Sequence, residues 1–192
     1  FYTWQRDQVE RGAYYEQLDY WVRTLSEAPP VLDLPLDRPR TPQPEARGGT
    51  WVVQFPNELR DGLNQLARSE SATLYMVLMA GYHALLSRLG GQHDIIVATP
   101  VGSRPRAEFD DIFGCFLNNV LVRGRPERAQ TFREFLAATR VAVLDAFAHQ
   151  DVPLEVVIET VKPQRSRTHT PLFQTMLVLQ NAPRAMEEAA PE

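Results

Sequence analysis

The sequence is poor in the residues that build metal sites and disulfides. Its 192 residues include one cysteine, Cys115, and four histidines. A single cysteine excludes an internal disulfide and fits a reducing, cytoplasmic setting. The histidines are scattered and lack ligand spacing, which argues against a structural zinc site. We therefore expect no metal and look for function in other side chains.

Excess charge and long apolar runs are also missing. The formal net charge is −4, so nothing in the balance attracts nucleic acid or an anionic membrane. No apolar run approaches membrane-spanning length, and the amino terminus lacks the layout of a signal peptide. With 44% hydrophobic and 23% charged residues, the chain has an ordinary globular composition. Its length suits one sizeable core or two small lobes.

The chain divides into a leading helix, a proline-rich arm and a core. Helical spacing of bulky residues predicts the leading helix within residues 1–27. The prolines of residues 28–49 forbid a helix interior and favour an extended arm. Leu32 and Leu34 alternate with other residue types there, which indicates an arm laid along a surface. Because the sequence starts in the middle of a helical pattern, we expect a fragment of a longer domain.

Strands and helices alternate over residues 50–183. Composition and apolar spacing predict strands over 50–55, 94–101, 118–123 and 172–180, and helices after Asn57, after Thr73, over 131–148 and over 153–161. In the helix that Thr73 caps, Leu85 and Leu89 are assigned to the inward face, and Gly90-Gly91 to its end. This order predicts an α/β class with a mixed β-sheet packed with helices. Residues 184–192 form a polar tail or the start of an interdomain linker.

The segment HQDVPLEVVIE raises the question of catalysis. His149 and Asp151 stand two residues apart, as a general base and its orienting acid could. The pair also falls where the 131–148 helix ends and Pro153 opens the next helix. There Asp151 is a natural N-cap, and His149 lies near a helix carboxyl end, where a partial cation is favoured. Since no nucleophile is fixed nearby, the structural interpretation is preferred.

The remaining polar candidates are weaker. Cys115 is interpreted as a small buried hydrophobe. The basic loops 102–106 and 164–167 could meet phosphate, but neither has the glycine spacing of a nucleotide loop. Asn118 and Asn119 open a predicted buried strand, where amides need partners. Either amide could bond a ligand or another lobe, and this question stays open.

Six segments in order resemble the carboxy-terminal half of a nonribosomal peptide synthetase condensation domain, from residue 1 to about 183. WQR resembles the end of that family's YxDYAVWQ motif, and LDLPLDRPRTPQPEARGG resembles its leucine–proline–aspartate–arginine arm. DIIVATPVGSR is similar to DIVVGTPVAGR, and FGCFLNNVLVR to (I/V)GxFVNTxxxR. HQDVPLE is similar to HQDYPFE, and QRSRTHTPLFQ to RDxSRNPLFQ. Their order and spacing make the resemblance specific.

The resemblance implies a chloramphenicol-acetyltransferase-like lobe, a two-layer sandwich. In this family the amine of an aminoacyl thioester attacks an acyl or peptidyl thioester. Both substrates arrive on the phosphopantetheine of peptidyl carrier proteins, through a tunnel between two lobes, so no cofactor is bound directly. The implied partners are the amino-terminal lobe, carrier proteins and a neighbouring adenylation domain of a secondary-metabolite synthetase.

The same resemblance places the catalytic histidine elsewhere. The HHxxxDG motif belongs to the amino-terminal lobe, and this sequence has no two adjacent histidines. We therefore expect no catalytic residue here and no activity from the chain alone. The tunnel-supporting residues implied by the motifs are Gly114, Phe116, Asn118, Arg123 and Arg165. His149, Asp151 and Pro153 match a motif that is structural in the family, and Asn119 stands where the family has threonine.

Other functions remain open at this stage. An epimerisation or heterocyclisation relative would share most of these motifs and differ upstream. A non-catalytic docking module for carrier proteins would need only the surface of the lobe. An acyltransferase that uses soluble coenzyme A would need an anion site, for which the 102–106 loop is the candidate, although the acidic net charge disfavours it.

Overall fold

The computed structural model describes residues 1–38, 40–41, 48–102, 104, 107–109, 111–164, 166 and 168–180. In this part of the chain the helices are α1 (Tyr2–Glu10), α2 (Tyr15–Leu25), α3 (Asn57–Ser69), α4 (Leu74–Gly90), α5 (Phe132–Ala148) and α6 (Leu154–Val161). The strands are β1 (Ile95–Gly102) and β2 (Leu117–Gly124), and a short 3-10 helix spans Ala107–Phe109. No helix of the described segments is long and apolar enough to cross a membrane.

The sheet is mixed, as predicted. β1 and β2 pair antiparallel from Ile95 opposite Gly124 to Gly102 opposite Leu117. On the other side of β1, Ala98 makes one parallel bridge to Met176.

The predicted strand over 172–180 is therefore wrong in extent. Two backbone hydrogen bonds join it to β1: the Ala98 amide donates to the carbonyl of Thr175 (3.1 Å), and the Leu177 amide donates to the carbonyl of Ala98 (2.9 Å). Leu172 has a φ of 69°, a left-handed conformation that a strand cannot contain. Extended pairing consequently begins only after this turn.

The strand predicted over 50–55 is wrong. These residues are extended but belong to no strand of the described residues, and Trp51 is 90% exposed. Strand propensity reflects packing on a pleated, half-buried surface more than an intrinsic backbone preference. Without a neighbouring strand, β-branched and aromatic residues alone do not make one.

The leading helix is divided. α1 and α2 are separated by a turn in which Gly12 has a φ of 71°. Glycine takes this left-handed conformation at little steric cost, so the helical pattern of residues 1–27 is interrupted there. The second helix then brings Trp21 and Leu25 into the core.

The arm lies along the surface in its described part. The backbone amide of Leu32 donates to Oε1 of Gln174 (2.7 Å). Gln92 holds the next residues, because its Nε2 donates to the carbonyl of Val31 (3.0 Å) and its Oε1 accepts from the amide of Asp33 (2.7 Å). Side-chain amides from two core segments thus fix the arm.

The ends of α4 are as predicted, but its inward face is not. The Thr73 side chain accepts from the amide of Met76, and Gly91 ends the helix with a φ of 67°. Leu85 and Leu89 are 52% and 53% exposed, whereas His83 is fully buried. α4 is apolar almost all round, so its periodicity does not decide which face packs inward.

The register separates the two faces of the sheet. A Cβ added to Gly124 would lie 2.5 Å from the ring of His83, so this face of β2 is covered by α4. Val120 and Val122 share that face by strand alternation and are almost fully buried. α5 completes the helical layer, packing against both α4 and β2. The opposite face, which carries Asn119 and Arg123, is described below.

Candidate functional site

Asn118 ties the start of β2 to the loop between α5 and α6. Its Nδ2 donates to the carbonyls of Gln150 (2.8 Å) and Val152 (2.7 Å). Its Oδ1 accepts from the backbone amides of Asn119 (2.9 Å) and Leu154 (3.1 Å). A side-chain amide has two donor hydrogens and two acceptor lone pairs. Backbone groups therefore use the whole hydrogen-bonding capacity of Asn118, which was one of the predicted tunnel residues.

This tie corrects the prediction for Asp151. α6 begins at Leu154 with Pro153 in the N-cap position and no side-chain cap of its own. Asn118, reaching across from β2, accepts from the first amide of the helix instead. The Asp151 carboxylate turns to α2, where its Oδ2 accepts from Nε2 of Gln17 (3.1 Å). The expected N-cap role of Asp151 is therefore wrong.

His149 is held by structural contacts at the end of α5. It is the C-cap residue, as its position in the sequence predicts, and its Nδ1 lies 2.6 Å from the carbonyl of Asp145. Its ring stacks on Tyr20 with centroids 3.9 Å apart. The carbonyl of His149 accepts from Nε1 of Trp21 (2.9 Å). His149 makes no hydrogen bond to Asp151, so the two side chains do not form a base–acid pair.

Arg123 joins β2 to the carboxyl end of α2. Its guanidinium binds the Asp94 carboxylate through Nε (2.6 Å) and Nη2 (2.5 Å), and Nη1 donates to the carbonyls of Thr24 and Ser26. Burial by itself opposes ionisation of Asp94, but Arg123, assisted by Arg125, outweighs it and holds the pKa of Asp94 below its ordinary value. With its side chain only 7% exposed, Arg123 stabilises the fold and lies at the far end of β2 from Asn118.

Phe116 lies in an aromatic cluster between the 103–116 loop and α1. Its ring centroid is 4.6 Å from that of Phe1 and 6.3 Å from that of Phe109, and the guanidinium of Arg104 lies 4.0 Å above it. A Cβ added to Gly114 would make ordinary contact with Phe116, 3.6 Å away. The cluster fixes the backbone that leads into β2.

Cys115 is exposed, which corrects its interpretation as a buried hydrophobe. The chain turns Phe116 inward and leaves both Cys115 and Phe113 facing solvent. One bulky aromatic ring fills the available space, so the neighbouring thiol is not needed for packing. The same loop therefore presents an apolar side chain, Phe113, to its surroundings.

A family model for the condensation domain matches residues 1–192. The chain belongs to the condensation domain family. It is 41% identical over 189 residues to a linear gramicidin synthase of Brevibacillus parabrevis, covering 98% of this chain and 4% of that protein. It is 38% identical over 182 residues to tyrocidine synthase 3 of the same organism, covering 95% of this chain and 3% of that protein.

Solved structures of the family share the fold. A four-domain nonribosomal peptide synthetase, holo-AB3403 bound to AMP and glycine, matches 86% of this chain and 13% of its own, at a TM-score of 0.82 and 28% identity. The X-domain from teicoplanin biosynthesis matches 91% and 40%, at 0.85 and 24%. The first condensation domain of the CDA synthetase matches 92% and 37%, at 0.71 and 18%. The predicted chloramphenicol-acetyltransferase-like α/β fold is confirmed, and this chain spans less than half of each relative.

The condensation-domain motifs of the chain form two groups. Asn118 joins the β2 motif directly to HQDVPLE, although the two are separated by more than thirty residues in sequence. Arg123 joins the β2 motif to Asp94, the first residue of the β1 motif. Arg165, the predicted residue of the late motif, lies outside the described residues. The neighbouring Ser166 and His169 both bond to Thr168, in a local polar cluster.

Asn119 is the polar residue of this region that sequence reasoning left undecided. Its backbone amide bonds to Asn118, but its half-buried side chain has no hydrogen bond to any described residue. The signal that could have separated the two asparagines was strand alternation, because neighbours in β2 face opposite sides of the sheet.

Proposed function

We propose that this chain forms part of a domain that joins two carrier-bound thioesters by a peptide bond. The observation that carries the proposal is the match of the condensation family along the whole chain. The named relatives, which include linear gramicidin synthase and tyrocidine synthase 3, support a peptide synthetase as the parent protein. The substrates would be an acyl or peptidyl thioester and an aminoacyl thioester, each on a carrier protein's phosphopantetheine.

The reaction requires a proton acceptor and a positioned pair of thioesters. The amine nitrogen of the acceptor attacks the donor's thioester carbonyl, the new C–N bond forms, the C–S bond breaks, and the amine loses a proton. Each histidine of the chain hydrogen-bonds a group within it: His83, His93, His149 and His169. We assign the base to the remainder of the domain, and to this chain the task of holding one wall of the site.

The partners follow from the same assignment. The other lobe would cover the apolar residues that this chain leaves exposed, such as Trp51, Phe113 and Leu117. Carrier proteins would deliver both substrates, and a neighbouring adenylation domain would supply the aminoacyl group. No directly bound cofactor is needed, and an exposed free thiol suits a cytoplasmic setting.

Two other functions are less well supported. An epimerisation or heterocyclisation domain would share the fold, but the named synthetases give no reason to prefer it. A docking module without catalysis would explain the exposed surface, but it would not need the ordered connections among the motifs.

Single-turnover product analysis separates these functions. The intact synthetase that contains this chain is given a loaded donor carrier and a loaded acceptor carrier. Condensation predicts a lengthened peptidyl thioester on the acceptor carrier. An inverted residue with no new peptide bond would indicate epimerisation, and loss of water with ring formation would indicate heterocyclisation. Carrier binding with no product would favour the docking module.

A further inference from the structure

The face of the sheet opposite α4 is covered at one end and open at the other. Because Gly124 points toward His83, alternation places Arg123, Leu121 and Asn119 on the opposite face. At the covered end, Arg123 lies beneath the carboxyl end of α2, and Leu121 is 1% exposed. The neighbouring helices and arm therefore close this half of the face.

The open half is mostly apolar. Leu117 is 68% exposed, and Met176, on the segment bridged to β1, is 42% exposed. Pro100 lies directly opposite Asn119 in the register and is partly exposed. Val178 continues the same face beyond Met176. We call Pro100, Leu117, Asn119, Met176 and Val178 the open wall.

Asn119 is the amide of the open wall. Its side chain is half-buried and has no hydrogen bond to the part of the chain that the structure describes. The contrast with Asn118 is complete, because Asn118 uses all four of its hydrogen bonds on backbone groups. Asn119 thus keeps two donor hydrogens and an acceptor oxygen available beside apolar neighbours.

We propose that the Asn119 side chain binds a secondary amide of the substrate chain that crosses the open wall. This proposal rests on the proposed function and names a substrate-contacting residue for it. Nδ2 would donate to the carbonyl of the ligand amide, and Oδ1 would accept from its N–H. Leu117 and Met176 would contact the adjoining methylene groups. A ligand of alternating amides and short apolar segments matches this surface.

The substrates of the proposed reaction contain this chemistry in two places. The pantetheine arm has secondary amides separated by methylene groups, and a peptidyl donor has backbone amides. The corresponding position of the family motif is threonine, whose hydroxyl provides one donor. Asparagine adds a second donor and a longer reach, so this residue would contribute to substrate preference.

The test uses the intact synthetase with Asn119→Ala. Loss of one amide pair should lower kcat/KM about tenfold, chiefly through KM, and leave the melting temperature unchanged. Asn64→Ala is the matched control, since Asn64 is also half-buried but lies on α3 and bonds to its own helix. That variant should keep wild-type kinetics. Asn118→Ala is the structural contrast and should lower the melting temperature.

Substrate analogues identify which amide is bound. One series replaces the pantetheine thioester by an alkanethiol ester without amides, and the other replaces a peptide bond of the donor by an ester. The wild type should lose about tenfold in kcat/KM with one of these analogues. Asn119→Ala should be insensitive to the same change, because the contact is already absent.

Two results would overturn the proposal. The first is an Asn119→Ala synthetase whose kinetics match the wild type and whose sensitivity to both analogues is unchanged. The second is a fall in melting temperature similar to that of Asn118→Ala, which would assign Asn119 to contact with the rest of the domain. A failure of all variants, and of the wild type, to form peptide bonds would instead contradict the proposed function.

Discussion

At the scale of single residues, β2 and α4 meet at Gly124 and His83. The strand passes so close to the helix that a methyl group on Gly124 would lie 2.5 Å from the imidazole ring. The ring is fully buried, with Nδ1 near the carbonyl of Met79 (3.0 Å) and Nε2 near that of Val122 (3.2 Å). A neutral imidazole can donate to only one of these carbonyls. This contact therefore limits both the size and the charge of its members.

Gly124→Ala is predicted to destabilise the protein by about 1–3 kcal/mol, because the new methyl group forces the ring or the strand to move. Gly81→Ala is the matched control. Gly81 lies inside α4 with open space around a Cβ, so the change should stabilise by about 0.5–1 kcal/mol. Denaturant unfolding of both variants measures the difference. Equal stabilities would contradict the packing of β2 against α4.

The charge of His83 predicts a pH dependence. Burial lowers the pKa of His83, although hydrogen bonds from the ring to the backbone of Met79, Val122 and Ile95 act in the opposite direction. The unfolded chain then binds a proton more readily than the folded chain. Stability should be complete above pH of about 6.5 and fall below it, by at most about 1.4 kcal/mol per pH unit.

Unfolding measured between pH 7.5 and 5, together with an NMR titration of the His83 ring, checks this prediction. His83→Gln keeps a donor at this position without a titrating group, so its stability should depend less on pH. A ring that titrates above its ordinary pKa in the folded protein would contradict the prediction.

At the scale of elements, two side chains connect pieces that are distant in sequence. Arg123 links β2 to α2 and to Asp94, and Asn118 links β2 to the start of α6. Arg123→Met is predicted to cost about 3–5 kcal/mol, because it leaves a partly buried carboxylate without its main partner. Arg125→Ala removes an exposed partner of the same carboxylate and should cost less than about 1 kcal/mol. Thermal unfolding of both variants distinguishes them, and similar losses would contradict the assigned role of Arg123.

Sequence reasoning predicted the elements whose signals are local. The α5 and α6 helices and the two β-strands have composition, spacing or caps within their own residues. The exceptions depend on distant partners. Residues 50–55 have strand composition but no strand beside them, and the cap of α6 comes from Asn118 rather than from the nearby Asp151. Such contacts are fixed by tertiary packing, which a local pattern does not encode.

At the scale of the whole molecule, the chain is a scaffold with one unfinished surface. The core is closed between α4, α5 and the sheet, whereas apolar side chains remain exposed on the open wall, at Trp51 and at Phe113. The motif resemblance indicated the family and the distribution of labour between lobes. It did not separate Asn118 from Asn119, because the two roles depend on which face of β2 each side chain occupies.

The central claim is that this chain supplies a wall of the site and that the base lies in the rest of the condensation domain. The most direct test is single-turnover peptide formation between two loaded carrier proteins, with this chain alone and with the complete domain. We predict product only from the complete domain, since the missing proton transfer is worth about 10²–10⁴ in rate. Comparable product from the chain alone would contradict the account and return attention to His149 and Asp151.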